Sequence, residues 1–299
     1  MSAPAAERTP ANAMTVDVED YFQVQAFADA IPRGSWESIP RRVEANTERI
    51  LARFAEAGIR ATFFTLGWIA ERHPELVRRI VAAGHELASH GYDHVRADRL
   101  DEASFRADVG RTRRLLEDIG GIAVRGYRAP TFSIGPRNLW AFAALAAEGY
   151  AYSSSIYPVR HDLYGMPEAP RFPFRPAGTA LWELPMTTLV LGGRNLPWSG
   201  GGYFRLLPYR LYAHGLRRLL RDGRRPAIFY FHPWEVDPAQ PRIARGRLLS
   251  RLRHRLNLKA MEGRVARLLG DFAWDRMDRV FAAELGQPAS LPDARSEPR

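Results

Sequence analysis

The chain has 299 residues, 46% of them hydrophobic and 25% charged, the proportions of an ordinary globular protein and not of a disordered one. That length fits one α/β barrel with a helical annex, or two domains. There is no cysteine, which excludes a disulfide scaffold, a thiolate metal site and a cysteine nucleophile. No apolar run reaches the roughly 18–20 residues that a bilayer-spanning helix needs.

The formal net charge of +10 rests on arginine, since Lys259 is the only lysine. From Arg205 to Arg267, fifteen arginines and Lys259 face four acids, a surplus larger than that of the whole chain. Nucleic acid is not an expected partner, because no aromatics interleave Arg242–Arg267 and no finger or RNP-like motif is present. Leu248, Leu252 and Leu256 recur every four residues within Arg242–Arg267. The pattern predicts one basic amphipathic helix whose leucines pack on the domain and whose arginines face water. Contact with a membrane surface or an anionic glycan through Arg242–Arg267 is the sharper reading.

In chain order, Met1–Ala13 reads as a disordered leader without the apolar core of a secretory signal, so a cytoplasmic chain, peripheral to the inner membrane face, is expected. Strands are predicted over 14–18, 60–66, 85–89, 124–127, 150–156, 182–186 and 227–231. Helices are predicted over 43–57, 74–83, 101–119, 138–148 and 209–222. Gly58, Gly84 and the pair Gly120–Gly121 stop the first three. This alternation predicts a mainly parallel sheet or barrel. Two stretches rich in Pro and Gly, 160–178 and 192–208, read as long loops walling a groove. The expected organisation is a barrel over 14–235, a helical extension over 236–286 packed on it, and a disordered tail over 287–299.

In a parallel barrel the site lies at the C-terminal strand ends. The first predicted strand ends in the acids Asp17, Glu19 and Asp20. The third is followed by His90 and His94, the next by Arg128, and the last by His232. Two imidazoles at i, i+4 on a helical turn, with one carboxylate, form an open zinc-type site. Residues 17 and 19 share a face of a strand and residue 20 takes the other, which favours Glu19 over Asp20 as the carboxylate ligand. Arg128 suits pairing with Asp17, and His232 suits protonation of a leaving group. His85 reads as structural, and His161 and Trp198 as loop residues that could touch substrate.

The segments TVDVEDYF, SHGYDH, RAPTF, the stretch 182–185 and FYFHPWE occur in order. They resemble the motifs of polysaccharide deacetylases of the NodB-homology type, carbohydrate esterase family 4. With LLGDFAW near the C-terminus, the chain is similar to the subgroup of exosortase (PEP-CTERM) loci and to the peptidoglycan-deacetylase and allantoinase-like branch. The resemblance implies a distorted (β/α) barrel with a basic helical C-terminal extension. It implies a metal-dependent deacetylase of N-acetylhexosamine units in an exopolysaccharide or its lipid-linked precursor. The alternatives are a cyclic amide hydrolase or a non-catalytic glycan- or membrane-binding barrel. Asp17 would be the base, Arg128 its orienting partner and His232 the acid. His90 and His94, with Glu19 or Asp20, would bind a divalent metal: zinc first, with cobalt or nickel admissible. Ser153 stands where relatives often carry an aspartate that supports the acid.

Overall fold

In the computed structural model of the chain, residues 11–223, 225–243 and 246–286 are described; the leader and tail readings over 1–10 and 287–299 lie outside them. The strands in chain order are β1 (Asn12–Val18), β2 (Thr62–Thr65), β3 (Glu86–Ser89), β4 (Gly126–Tyr127), β5 (Tyr152–Ser153) and β6 (Trp182–Glu183). They continue with β7 (Thr188–Leu191), β8 (Arg194–Pro197), β9 (Ile228–Phe231) and β10 (Trp274–Asp275). β1 to β6 pair in sequence, every pair parallel; β9 pairs along the other edge of β1, and β10 pairs with its first two residues, Asn12 and Ala13, on the edge opposite β9. The result is a curled parallel sheet flanked by helices. Between β6 and β9 it stays open, bridged by single contacts: Gly200 pairs with Tyr230, and Ile228 N donates to Thr187 Oγ1 at 2.7 Å.

β1 is buried along all seven residues, as a central parallel strand must be with both faces covered. It starts at Asn12, inside the stretch read as a disordered leader. The Asn12 side-chain amide holds the start of two neighbours: Ala227 N donates to Oδ1 at 2.9 Å, and Nδ2 donates to the carbonyl of Ala273 at 3.1 Å. An orphan backbone group at the strand origin is thereby satisfied, and the two residues before Met14 are ordered.

The C-terminal region also departs from the expected boundary at 235/236. The helix Leu258–Asp271 buries Met261, Val265 and Leu268 in the main core, and β10 then pairs with Asn12 and Ala13. The barrel and its extension therefore share one sheet. The expected single basic helix is two, Leu248–Arg255 and Leu258–Asp271. They break at Asn257, whose φ of 52° is left-handed and whose Nδ2 donates to the carbonyl of Arg205 at 2.8 Å. The leucines of the first helix do not pack on the domain. Leu248, Leu249 and Leu252 are 66%, 57% and 61% exposed, and the buried residue is His254.

Stretch 192–208 is not a loop. Gly192 and Gly193, with φ of 57° and 71°, form the two-residue turn between antiparallel β7 and β8, the primed-turn geometry that two glycines favour. The helix Gly201–Leu206 follows. The hairpin walls a cavity of about 590 Å³ with Arg171, Phe172 and Arg225, remote from the groups described next. Trp198 is buried, its Nε1 donating to the carbonyl of Tyr212 at 3.0 Å, so it is core and not a substrate contact.

Candidate metal centre and active site

Because the strands run parallel, residues that leave β1, β3, β4 and β9 emerge on one rim. Glu19 follows β1, His90 follows β3, Arg128 follows β4 and His232 follows β9. Ligand atoms of Glu19, His90 and His94 lie within 4.8 Å of one another, all three residues buried. His90 and His94 are not on a helical turn, as their spacing suggested. They bracket a loop in which Gly91 and His94 take φ of 74° and 59°. A left-handed histidine is uncommon, and such backbone strain gathers at functional sites.

The electrostatics suit a cation. His90 Nδ1 donates to the carbonyl of Arg128 at 2.9 Å, which fixes the tautomer and leaves Nε2 as a lone-pair donor toward the rim. Burial holds His90 down to about 4 and His94 well below the ordinary histidine value. Both rings are therefore neutral, the state in which imidazole ligates. Glu19 Oε2 lies 3.0 Å from His94 Nε2, yet the geometry is not that of a hydrogen bond and this buried oxygen has no partner. Burial first, then the charge of Asp17, push the Glu19 carboxyl up to about 7 against the pull of His232. An orphaned buried carboxylate oxygen beside two neutral imidazoles is a fit for a divalent ion.

Asp20 does not join them. Its Oδ2 accepts the backbone N–H of Arg42 at 2.7 Å and of Val43 at 3.0 Å, and its Oδ1 that of Tyr21 at 2.9 Å. It caps the helix Val43–Glu56 from a distance, in place of an N-cap side chain of the helix itself. As a ligand candidate Asp20 is thus replaced by Glu19 alone.

Asp17 Oδ1 accepts a hydrogen bond from Arg128 Nη1 at 2.6 Å. Arg128 is fully buried. It also donates to Thr15 Oγ1 at 2.8 Å and to the carbonyl of Ser154 at 3.2 Å, and lies 4.0 Å over the Phe64 ring. So many fixed partners hold the guanidinium, and through it Asp17, in one place.

His232 Nε2 lies 3.1 Å from Glu19 Oε1, and Nδ1 donates to Glu235 Oε1 at 2.7 Å. Burial opposes its charged form, but Glu19 and Glu235 outweigh that and raise it to about 9. Burial would raise Glu235 as well; Arg205 and His232 bring it down to about 2. Arg205 Nε donates to Glu235 Oε2 at 2.6 Å. Sequence reasoning missed Glu235 and Arg205. The signal for the first was the spacing His232-x-x-Glu235, which lets one carboxylate reach the ring three residues back. Ser153, the position where a supporting aspartate was expected, instead donates to Ser155 Oγ at 2.8 Å. Tyr230, Phe132 and Tyr164 form a packed aromatic cluster beside Arg128 and His232. His85 is core, its Nδ1 accepting from Ala61 N at 3.1 Å, and His161 stacks on Tyr164 at 4.0 Å.

The arrangement holds a base candidate, a cation site and an acid candidate on one rim, which is the equipment for hydrolysis. Comparison with known proteins agrees. Residues 30–150 match the polysaccharide deacetylase family model, and residues 154–282 match a domain of unknown function (DUF3473). The first stretch contains His90, His94 and Arg128; the second contains His232 and Glu235. A peptidoglycan-N-acetylglucosamine deacetylase of Bacillus cereus is 33% identical over 84 residues, 28% of this chain and 30% of that protein. A chitooligosaccharide deacetylase of Sinorhizobium fredii is 46% identical over 85 residues, 28% of this chain and 40% of the relative. Matches to these curated relatives thus span well under half of their length. The crystal structure of a putative polysaccharide deacetylase from Mycobacterium smegmatis superposes with a TM-score of 0.58 at 23% identity, covering 98% of this chain and 97% of that one. That likeness extends over the curled barrel and the C-terminal helices together.

Proposed function

The chain carries a polysaccharide deacetylase domain of the NodB type, carbohydrate esterase family 4, and on that premise we propose that it hydrolyses the acetamide of N-acetylhexosamine units in an exopolysaccharide or its lipid-linked precursor. The observation that carries this reading is the partnerless Glu19 Oε2 beside two neutral imidazoles, with His232 Nε2 3.1 Å from Glu19 Oε1 and the charge of Asp17 near enough to act on the carboxyl. A divalent cation held by Glu19, His90 and His94, zinc before cobalt or nickel, supplies polarisation of the acetamide carbonyl and a more acidic water.

This chain's own groups do the rest. Asp17, fixed through Oδ1 by Arg128, takes a proton from the attacking water on Oδ2. The water oxygen bonds to the carbonyl carbon, and the carbon–nitrogen bond then breaks. His232 Nε2 gives its proton to the departing nitrogen, so the products are acetate and a free amino sugar. Glu235 holds the His232 ring by its Nδ1–H, and Arg205 keeps Glu235 ionised and in place. Both are positioning residues. A binding-only barrel has no use for a base, an acid and a cation site on one rim.

The test is acetate release from N-acetylglucosamine oligomers by the purified protein loaded with zinc, cobalt or nickel, with metal analysis alongside. We expect acetate release by the parent protein, and loss of both metal and activity in a His90→Ala/His94→Ala variant. A metal-loaded parent that frees no acetate from any N-acetylhexosamine oligomer overturns the proposal.

A further inference from the structure

Ten large apolar side chains are exposed among the described residues, and three of them, Leu248, Leu249 and Leu252, lie on one eight-residue helix. At about 100° per residue they fall on a single arc of roughly 100°. His254, the buried residue of that helix, points the other way. The helix is firmly seated on its His254 side: that ring stacks on Trp234 at 4.3 Å and meets the edge of Phe27 at 5.1 Å. At its C-terminal end Arg205 Nη1 donates to the carbonyls of Arg253, His254 and Leu256. The leucines are therefore held outward and are not the loose face of a frayed helix.

Around them positive charge predominates. Between Asp237 and Glu262 the sequence has six arginines and Lys259 and no acid. Facing the helix from the neighbouring 160–166 loop are Asp162, 3.9 Å from Arg253, and then Leu163, itself 43% exposed. The position matters as much as the composition. Trp234 also stacks on His232 at 5.2 Å, so the leucine face stands two rings from the candidate acid.

We propose that the helix Leu248–Arg255 docks on an anionic lipid bilayer, its leucines entering the headgroup–acyl boundary and its arginines meeting lipid phosphates, so that the rim opens beside the membrane surface. Arginine alone would suit an acidic glycan equally well; three outward leucines select a bilayer, because a hydrated polymer offers nothing to bury them in. The consequence, which rests on the deacetylase reading above, is that a lipid-linked glycan is the substrate best presented to this rim.

Flotation with vesicles of phosphatidylglycerol and phosphatidylcholine in equal parts, against phosphatidylcholine alone, tests the docking without reference to activity. The full chain is expected to float with the anionic vesicles only. Leu248→Ser/Leu249→Ser/Leu252→Ser should weaken that binding at least tenfold while leaving the circular dichroism, the melting temperature and acetate release from soluble oligomers unchanged. Absence of binding to the anionic vesicles at low salt, or binding that the leucine variant retains in full, overturns the proposal. Because acetate release from soluble oligomers is read separately, failure of docking and failure of the deacetylase reading remain distinguishable.

Discussion

Two neighbouring acids, Glu19 and Asp20, are both almost wholly buried, and what surrounds each carboxyl decides its work. Asp20 accepts three backbone N–H groups and has nothing left to offer a cation; Glu19 keeps an oxygen without a partner. Asp20→Ala should therefore cost about 1–3 kcal/mol by stranding helix N–H groups while the protein keeps its bound metal. Glu19→Ala should lose the metal and leave the helix Val43–Glu56 intact. Urea unfolding and metal analysis on the same preparations separate the two, and the reverse result would assign the ligand to Asp20. A second prediction concerns Glu235. Glu235→Gln removes the charge that fixes His232 and faces Arg205, so kcat should fall by about 10²-fold or more, the order of a general acid's contribution. KM and metal content should change little. A metal-poor Glu235→Gln protein would place Glu235 in the cation site instead.

The element scale shows where local sequence stops being informative. β4 and β5 are two residues each, too short for periodicity, and they meet because Gly126 has no side chain: a Cβ there would overlap the Tyr152 ring and hydroxyl. Tyr152 is fully buried and donates to Glu86 Oε1 at 2.9 Å. Gly126→Ala should thus destabilise by about 1–3 kcal/mol through overpacking, measured by urea unfolding; a variant as stable as the parent would mean that β4 sits elsewhere. Most of the rim was legible, since parallel strands deliver their next residues to one end, and Asp17, His90, Arg128 and His232 each follow an apolar run. What was not legible depends on distance along the chain. Asp20 caps a helix that starts 23 residues later, and Arg205 reaches Glu235 across 30 residues from a helix that composition presented as loop. Trp274 and Asp275 pair with a strand at the other end of the chain. The Leu248–Leu252 periodicity revealed an apolar face but not its direction, because amphipathicity is the same whether the core or a partner covers that face.

For the whole molecule, the cation site couples binding to folding. Glu19, His90 and His94 come from two separate segments of the chain, so the site exists only when β1 and β3 are folded into one sheet, and a metal that binds it stabilises the folded state by mass action. At about 1,000 times Kd that amounts to about 4 kcal/mol, which for a chain of this size moves the melting temperature by roughly 5–10 °C. The effect has a definite sign with pH. Burial pushes Glu19 up to about 7, so below that pH an entering cation must displace a proton from the carboxyl, and above it need not. Zinc should therefore raise the melting temperature more at pH 8 than at pH 6, and a chelator should reverse the gain at both. The His90→Ala/His94→Ala variant should show neither effect. An equal zinc shift in that variant would locate the binding elsewhere on the surface, and a parent protein indifferent to zinc and to chelator would mean that the three side chains hold no ion in solution.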